Sequence, residues 1–383
     1  MQKTARRVAD VAIVGAGITG LSLGWHLAQR GMSVVIAERE GVGAGASGIQ
    51  PGGVRQQWST RVNCELARES AAFYREIAST IAPRAEPRLE PCGYLFTADT
   101  ATELARLARS VAVQNECRVP SQIIGPEDAA ELVPGLRVEG MVGAAYCGED
   151  GYFDKPQAVV EGFAAAAVAL GAEIAHLDVI ELIPTDGGWR LRASGDGELL
   201  SADQVVVAAG YDSPGIVSGL GIDLPIAKEA RYLFLSDPIK ERLLEPLVVS
   251  AERSFAAKQL ADGRVLASDL GARGDPEAGR VHWRRRVEKN IETLVPILEF
   301  VSFPLLLEGF YDVTPDHQPI LGPLPGWDGL WIAAGFSGHG FMLAPAVARR
   351  MADAICGTDQ ALPDDFAYGR FDGTELVAET QVV

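Results

Sequence analysis

Cysteine is scarce in this sequence, and its five residues lie far apart, at Cys64, Cys92, Cys117, Cys147 and Cys356. An odd number at wide spacing indicates neither a disulfide framework nor a cysteine-based metal site. We therefore expect free thiols, as in a protein of the reducing cytoplasm, and no bound metal.

Positive charge and long apolar runs are also in short supply. The net charge of −17 disfavours nucleic acids and anionic membrane surfaces as partners, because both attract basic patches. No run reaches the roughly 18 apolar residues of a membrane-spanning helix. The segment Val295–Leu307 fits either a membrane-surface segment or, as we favour, a buried helix end that leads into a strand. The first ten residues lack a separate apolar stretch, so we expect no signal peptide and a cytoplasmic protein.

The most informative segment is Val11–Glu38. An apolar run predicts a buried strand, and the pattern Gly15-Ala16-Gly17-Ile18-Thr19-Gly20 follows it. A helical segment ended by Gly31 and a second apolar strand closed by Glu38 come next. This order is typical of dinucleotide binding, because the glycines let the backbone approach a pyrophosphate and the acid accepts hydrogen bonds from ribose. The helix N-terminus offers N–H groups to the phosphates, and the acid disfavours the 2′-phosphate of NADP.

A second match to the same pattern, Gly43–Gly48, lacks this context. It follows a strand, but Ile49-Gln50-Pro51-Gly52-Gly53 comes next, where a helix would be needed. We interpret it as a glycine loop and not as a second dinucleotide site.

The remaining chain changes character twice. Helix and strand signals alternate up to the strand that ends at Gly210, antiparallel strand signals follow, and Gly335–Phe341 is a second glycine-rich turn between a strand and a helix. We therefore predict that both ends of the core build one nucleotide-binding domain and that the middle forms a cap. Asp150–Asp154 is predicted to be a turn, and Thr185–Gly188 a hairpin turn.

Further motifs are spread over the whole chain in a characteristic order. They are Gly45–Gly48, Gly53-Val54-Arg55, Asp150-Gly151, Val206–Gly210, Thr314-Pro315-Asp316, Pro319–Gly322 and Ala334–Phe341. Together with the N-terminal unit, they make the chain resemble the FAD-dependent D-amino-acid oxidase superfamily. The resemblance is to the branch of the sarcosine oxidase and proline dehydrogenase beta-subunits in particular.

The resemblance implies FAD as cofactor and an α/β plus α+β fold. A Rossmann-like FAD-binding domain is expected from residues 9–60, 140–218 and 312–360. An antiparallel-sheet substrate or cap domain is expected from residues 61–139 and 219–311. The predicted cofactor-binding residues are Gly15, Gly17, Ile18, Thr19, Gly20, Glu38, Arg39, Ala46, Ser47, Gly52, Gly53, Val179, Ala209, Gly210, Gly335, Ser337, Gly338, His339, Gly340, Phe341 and Met342.

Three positions depart from the monomeric sarcosine oxidases that the chain resembles. Gly309 stands where those enzymes carry a cysteine bonded to flavin, so we expect non-covalent FAD. Met342 replaces a lysine that helps to hold the substrate carboxylate, and Val265 aligns with their oxygen-activating lysine. Lys258, on the preceding predicted strand, either substitutes for that lysine or is a solvated surface residue.

The resemblance also assigns two candidate catalytic residues. Arg55 aligns with the family's carboxylate-binding arginine, and a guanidinium can hold a carboxylate through two hydrogen bonds. The alternative for Arg55 is an ion pair with a surface acid. His339 lies in the C-terminal glycine turn, where it either contacts flavin or substrate or satisfies local backbone groups.

Two neighbouring pairs are further candidates. Arg231-Tyr232, on a predicted cap strand, is a second candidate for holding the substrate. Asp312 and Asp316 fit acid–base work or, as we favour, a turn around Pro315, because Asp and Pro commonly build turns.

These features lead to one main hypothesis and two alternatives. The main hypothesis is oxidation of the C–N bond of a small amino acid by hydride transfer to flavin, followed by hydrolysis of the imine; a secondary amine such as sarcosine or proline is favoured. The alternatives are FAD-dependent oxidation of a 2-hydroxy acid, and a flavin-holding subunit that relays electrons in a larger complex. The expected partners are the substrate, oxygen or another electron acceptor, and further subunits of a homo- or hetero-oligomer.

Overall fold

The computed structural model describes residues 7–82, 84–195, 199–358, 362–373 and 375–381. Residues 1–6 lie outside these ranges. So do residues 359 and 360, the last two of the predicted segment 312–360. The strands are β1 Arg7–Val14, β2 Val34–Glu38, β3 Gly53–Val54, β4 Leu89–Glu90, β5 Tyr94–Ala98, β6 Gln122–Ile124, β7 Gly143–Cys147, β8 Gly151–Phe153, β9 Glu173–His176, β10 Val179–Thr185, β11 Gly188–Ala193, β12 Leu199–Val207, β13 Ala227–Leu235, β14 Leu247–Ser250, β15 Phe255–Gln259, β16 Val265–Asp269, β17 Leu305–Val313, β18 Ile320–Pro323 and β19 Leu330–Ala334. The helices are α1 Ile18–Gln29, α2 Ala46–Ile49, α3 Arg61–Arg75, α4 Ile77–Ile81, α5 Ala101–Glu116, α6 Pro126–Leu132, α7 Pro156–Ala169, α8 Ser213–Val217, α9 Pro276–Leu294 and α10 Gly340–Ile355.

The first sheet is built on β1. It has β12 on one side and β2 on the other, β9 lies beyond β2, and β19 lies beyond β12; these five strands are parallel. β10, β11 and β18 extend the sheet as antiparallel neighbours. The predicted hairpin is confirmed, since Thr185 pairs with Gly188 across β10 and β11.

The parallel strands place the two predicted glycine turns at the same edge of this sheet. Val14 pairs with Val207, and Val207 pairs with Ile332, so the carboxyl ends of β1, β12 and β19 are neighbours. Ligands of open parallel sheets bind at this edge, beside the strand where the chain order reverses. Segments more than 300 residues apart in sequence thus meet at one place.

The apolar residues of these strands are covered by helices. α1, α3, α7 and α10 share one core with the sheet, and it includes Leu23, Tyr74, Phe163 and Val347. The Phe73 and Phe163 rings stack at 5.6 Å. Strands covered in this way read as continuous apolar runs, which is why the sequence predicts β1 and β2 so clearly.

The second sheet has eight strands in the order β17-β13-β16-β15-β14-β5-β7-β6. Its neighbours are antiparallel except β14 and β5, which are parallel; the antiparallel prediction therefore fails for this one pair. Alternate residues of β13, β15 and β16 pack into a core under α9, where Tyr232 stacks on Trp283 at 4.3 Å. The other residues of these strands face the first sheet.

Two local predictions differ from the structure. The predicted turn Asp150–Asp154 contains a short strand, β8, because Gly151 pairs with Val54 and Phe153 with Leu89 in a three-stranded sheet. The predicted glycine loop Gly43–Gly48 contains most of one helical turn, α2. Both differences arise from contacts with distant segments.

The apolar segment Val295–Leu307 leaves α9 and enters β17. Val295, Leu298 and Phe303 are buried in the core under α9, while Phe300 and Leu305 are exposed. The predicted buried helix end leading into a strand is therefore present. Within the described ranges, none of the helices combines the length and apolar composition needed to cross a bilayer.

The predicted division into domains stays a prediction. The first sheet draws its strands from the predicted FAD-binding segments, but β7, inside residues 140–218, belongs to the second sheet. α3, inside residues 61–139, packs against α1 and α10 in the core of the first sheet.

Candidate active site

A cavity of about 800 Å³ runs between the two sheets. It is lined by the residues that follow β1, β2, β9, β12 and β19, and by one face of β13, β15, β16 and β17. Four predicted cofactor-binding residues are absent from its lining: Gly20, Gly52, Gly335 and Ser337. The predicted residues that line it are Gly15, Gly17, Ile18, Thr19, Glu38, Arg39, Ala46, Ser47, Gly53, Val179, Ala209, Gly210, Gly338, His339, Gly340, Phe341 and Met342, with the four catalytic candidates Arg55, Arg231, Lys258 and His339.

The first glycine turn has no room for a side chain at Gly15. Gly15 has a φ of +110°, and a Cβ there would lie 2.5 Å from the Ala208 carbonyl oxygen. Ser47 from the glycine loop accepts a hydrogen bond from the Ile18 N–H at 3.0 Å. The turn therefore presents bare backbone and the N-terminus of α1 to the cavity, as a pyrophosphate requires.

Glu38 is fixed at the end of β2. Its Oε2 accepts a hydrogen bond from the Ala16 N–H at 2.8 Å, and its Oε1 accepts one from the Glu40 N–H at 2.8 Å. The carboxylate thus joins the end of β2 to the first glycine turn. Its remaining lone pairs are available to ribose hydroxyls.

The second glycine turn is held by Asp312. Its Oδ2 accepts a hydrogen bond from the Gly335 N–H at 2.7 Å, and its carbonyl accepts one from the Ser337 N–H at 3.0 Å. Burial raises the pKa of the Asp312 carboxyl to about 6. Gly338 has a φ of +91°, and a Cβ there would lie 2.3 Å from the Tyr311 ring. These contacts agree with the interpretation of Asp312 as a turn-forming residue.

Asp316 also serves structure. Its carboxylate binds the Arg370 guanidinium at 2.7 and 3.0 Å and accepts a hydrogen bond from the Gln318 N–H at 3.2 Å. It is absent from the cavity wall. These contacts agree with the favoured turn interpretation.

Arg55 follows β3 and is buried, with 1% of its surface exposed. Its guanidinium donates to the carbonyls of Gln57 and Gln381, the latter at 2.8 Å, and lies 4.1 Å from the centre of the Trp58 ring. Its Nε has no hydrogen-bond partner among the described residues. An ion pair with a surface acid, the alternative interpretation, is excluded by this burial.

A buried carboxylate fixes the backbone that carries Arg55. Asp150 accepts hydrogen bonds from the Gln56 N–H at 2.8 Å and from Gln57 Nε2 at 3.1 Å. Burial raises the pKa of the Asp150 carboxyl to about 6. The segment that was predicted to be a turn thus positions a candidate catalytic residue.

His339 lies at the N-terminus of α10, with its ring edge-on to Trp58 at 4.4 Å. Burial, and then the charge of Arg55, hold the pKa of the His339 imidazole well below its usual range. Its Nε2 has no partner among the described residues. The ring is therefore a neutral group at the cavity wall and does not satisfy the local backbone through Nε2.

Lys258 is buried on β15, so the surface interpretation is wrong. Its Nζ donates to the Pro51 carbonyl and lies 4.1 Å from the centre of the Tyr152 ring. Val265, the aligned position, lies in the core under α9 on the opposite face of the sheet. Burial lowers the pKa of the Lys258 ammonium to about 7.

Arg231 faces the cavity from β13, while its neighbour Tyr232 faces away. Arg231 Nη1 binds Glu229 at 2.9 Å, and its guanidinium lies 4.9 Å from the centre of the Tyr311 ring. Tyr232 donates to the Gly274 carbonyl in the core under α9. The structure thus separates the two members of this candidate pair.

The cavity residues that were not predicted include three polar side chains of the second-sheet side, Tyr94, Arg273 and Tyr311. Tyr311 is two residues from Gly309 on β17, and residues two apart in a strand lie on the same face of the sheet. Tyr311 could therefore have been predicted from the position of Gly309. Arg273 lies in a loop, and no sequence signal indicates its position. Burial raises the pKa of both Tyr94 and Tyr311, so these hydroxyls stay protonated at neutral pH.

Comparison with known proteins identifies the family. Residues 10–354 match the model of the DAO family of FAD-dependent oxidoreductases, and the chain belongs to this family. It is 27% identical to FAD-dependent oxidoreductase domain-containing protein 1 of Xenopus laevis, over 98% of this chain and 85% of that protein. It is 25% identical to sarcosine oxidase subunit beta of Rhodobacter capsulatus, over 97% of this chain and 90% of the relative.

Solved structures agree with this assignment. L-proline dehydrogenase from P. horikoshii superimposes with a TM-score of 0.89 at 26% identity, covering 97% of this chain and 100% of that one. The DAO-type FAD-binding fold, with its Rossmann-like sheet and its second sheet, is therefore established. The chain is an FAD-dependent oxidoreductase of a family that oxidises amino acids and amines.

The cavity fits FAD. The backbone at Gly15 and the acid Glu38 suit the pyrophosphate and ribose of an adenine dinucleotide. Backbone of the second glycine turn, at Gly338 and Gly340, also lines the cavity, where a flat ring system can approach it. Among the described residues lining the cavity there is no cysteine, and Gly309 is one of them, so non-covalent FAD remains the prediction.

Proposed function

We propose that this chain oxidises the C–N bond of a small amino acid, and that a secondary amine such as sarcosine or proline is favoured. Arg55 carries the proposal: a buried guanidinium lines the cavity, and no carboxylate of the described residues lies within ion-pair distance of it, although the charges of Glu379 and Asp150 act on it from further away. A buried cation without an acid is costly unless a ligand supplies the negative charge. The substrate carboxylate is the natural counter-ion.

Family membership supports the reaction type. Relatives named for sarcosine and L-proline share the fold over nearly the whole chain. Bound FAD would take a hydride from the carbon next to nitrogen, leaving an imine that water hydrolyses.

The chain's own residues have three tasks in this proposal. Arg55 orients the substrate through its carboxylate. His339 lines the cavity as a neutral imidazole packed edge-on against the buried Trp58, so it adds no charge beside the substrate. Lys258, whose pKa of about 7 lets it hold or release a proton near neutral pH, lines the cavity on the side of β15, where an electron acceptor such as oxygen would use that proton.

The reaction can be tested by anaerobic mixing of the FAD-loaded chain with sarcosine, proline, glycine and 2-hydroxy acids of matched length. We expect the amines to bleach the flavin absorbance and the hydroxy acids to leave it unchanged. Bleaching by hydroxy acids alone would favour the alternative oxidation. Tight FAD without bleaching by any compound would favour an electron-relay subunit, an alternative that the beta-subunit relative keeps open.

The role of Arg55 predicts a loss of substrate affinity. A charge-assisted hydrogen bond contributes about 1.5–3 kcal/mol, so Arg55→Ala should raise the substrate dissociation constant about 10- to 100-fold with FAD still bound. Arg55→Lys should lose most of this affinity as well, because an ammonium cannot form the two-pronged contact. Arg264→Ala, at an exposed turn, is the control. An unchanged dissociation constant in Arg55→Ala would remove Arg55 from the substrate site.

A further inference from the structure

The side of the cavity formed by the second sheet and the segment after β3 is cationic. In the part of the chain that the structure describes, Asp312 is the acid that lines it near this side, and it is engaged by the Gly335 N–H. The other acids of the wall, Glu38, Glu40, Asp178 and Asp212, follow strands of the first sheet. The cations are Arg55, Arg231, Lys258 and Arg273. In a chain of net charge −17, this is a local reversal of sign.

Two of these cations form a pair. Arg231 Nη1 and Arg273 Nε approach the same oxygen of Glu229, at 2.9 and 3.9 Å. One carboxylate thus faces two guanidinium groups. A second acid, Asp269, also acts on Arg273 but is paired with Arg286 at 3.2 Å, so the three guanidinium groups outnumber the two carboxylates by one. Glu229 is absent from the cavity wall, whereas Arg231 and Arg273 belong to it.

The pair and Arg55 line the same cavity, and both are neighbours of Tyr311. Arg231 is 4.9 Å from the centre of the Tyr311 ring, and the charges of Arg231, Arg55 and Arg273 all act on its hydroxyl. Arg55 is buried, while the Arg273 side chain is half exposed. The two positive sites therefore lie at different depths of the same cavity.

We propose that the substrate carries two anionic groups, one held by Arg55 and the other by the Arg231–Arg273 pair. The substrate class is a dicarboxylic amine: an amino acid with an acidic side chain or with a carboxyalkyl group on its nitrogen. The identity of the reacting bond rests on the function proposed above, but the two anion sites do not. A small monocarboxylic amino acid would leave the outer pair unused.

The two sites can be tested with ligands that do not react. The FAD-loaded chain is titrated with glutarate and with valerate, which have the same carbon number, and binding is followed by the change in flavin absorbance. We expect glutarate to bind about tenfold more tightly, the contribution of about one charge-assisted hydrogen bond. Equal affinities would overturn the proposal.

Variants assign this preference to the pair. Arg231→Gln and Arg273→Gln should each reduce the glutarate preference to below about threefold and leave valerate binding unchanged. Glu229→Gln should strengthen glutarate binding, because it removes the competing carboxylate. Arg264→Gln, an arginine at an exposed turn that pairs with Asp262, should behave as the native chain. An equal loss of both ligands in Arg231→Gln would contradict a separate second site.

Turnover distinguishes a failure of this proposal from a failure of the proposed function. N-(carboxymethyl)glycine is compared with N-ethylglycine, and glutamate with norvaline, for the rate of flavin bleaching. Faster bleaching by the dicarboxylic member of a pair supports both proposals. Bleaching without preference rejects the second anion site alone. A glutarate preference without bleaching by any amine rejects the amine oxidation alone.

Discussion

The ammonium group of Lys258 is buried against Pro51 and Tyr152 without an acidic partner within ion-pair distance among the described residues. Burial disfavours the charged form, and the pKa falls from 10.5 to about 7. In the unfolded chain, the same lysine stays protonated up to its ordinary pKa. Between pH 7 and about 10, the unfolded state therefore binds one more proton than the folded state.

This difference predicts the sign of a pH effect on stability. The free energy of unfolding should rise with pH from about 7 to about 10 relative to that of Lys258→Met, because the penalty for burying a charge disappears as the folded lysine loses its proton. Urea unfolding of both proteins at pH 6, 8 and 9.5 measures the difference. Lys289→Met, at an exposed site on α9, is the control. Parallel pH curves for the native chain and Lys258→Met would show that the lysine keeps its ordinary pKa.

The segment 375–381 has neither helix nor strand, yet it is held firmly beside Arg55. Glu379 is buried and accepts hydrogen bonds from Ser59 Oγ at 2.6 Å, Thr60 Oγ1 at 3.1 Å and Asn63 Nδ2 at 3.1 Å. Two residues later, the Gln381 carbonyl accepts the bond from Arg55 Nη2. Glu379 thus connects the start of α3 to the positioning of Arg55.

Removing this carboxylate should affect both stability and substrate binding. Glu379→Ala leaves several buried donors without an acceptor, and we expect a loss of about 2–4 kcal/mol in the free energy of unfolding. The apparent binding constant for carboxylate ligands should also rise, since Arg55 loses its Gln381 anchor, while bound FAD is retained. Chemical denaturation and ligand titration provide the two measurements. The control is Glu375→Ala, which removes an exposed acid of the same segment and should match the native chain in stability and ligand affinity. If Glu379→Ala also matched the native chain in both, Glu379 would not support the position of Arg55.

The elements that the sequence predicts well are those with local signals. The sequence predicts helices at Ala101–Glu116 and Pro126–Leu132, and α5 and α6 have these bounds. Each has a clear N-terminus: Thr100 accepts a hydrogen bond from the Glu103 N–H, and Pro126 opens α6. β14 and β6 were missed because strands of three or four residues carry no measurable period. β8 was predicted as a turn because its pairing with β3 and β4 depends on distant segments.

The site divides in the same way. The two glycine turns and Glu38 were found from local patterns whose chemistry is fixed by spacing. Lys258 was ambiguous because its burial depends on which face of β15 meets the cavity. Tyr94, Tyr311 and Arg273 enter the site through the arrangement of the second sheet, and the role of Glu379 depends on a contact with Ser59, some 320 positions earlier. Such contacts have no local signature.

The complete molecule encloses the cavity between two sheets and draws its walls from both ends of the chain. A ligand that fills this space contacts segments from both ends of the chain, and it binds the folded state alone. FAD should therefore stabilise the fold by mass action, by about 2.7 kcal/mol when its free concentration is 100 times its dissociation constant.

Substitutions at two glycines distinguish the stabilisation by FAD from the effect of backbone strain. Gly15→Ala places a Cβ 2.5 Å from the Ala208 carbonyl oxygen at the cofactor turn, whereas Gly31→Ala, with a φ of +81°, meets nothing within 4 Å. Both changes impose the strain of a positive φ, about 1 kcal/mol. We expect thermal denaturation to show a rise in Tm with added FAD for the native chain and for Gly31→Ala, and little or none for Gly15→Ala. An equal rise in Gly15→Ala would mean that the first glycine turn does not hold the cofactor.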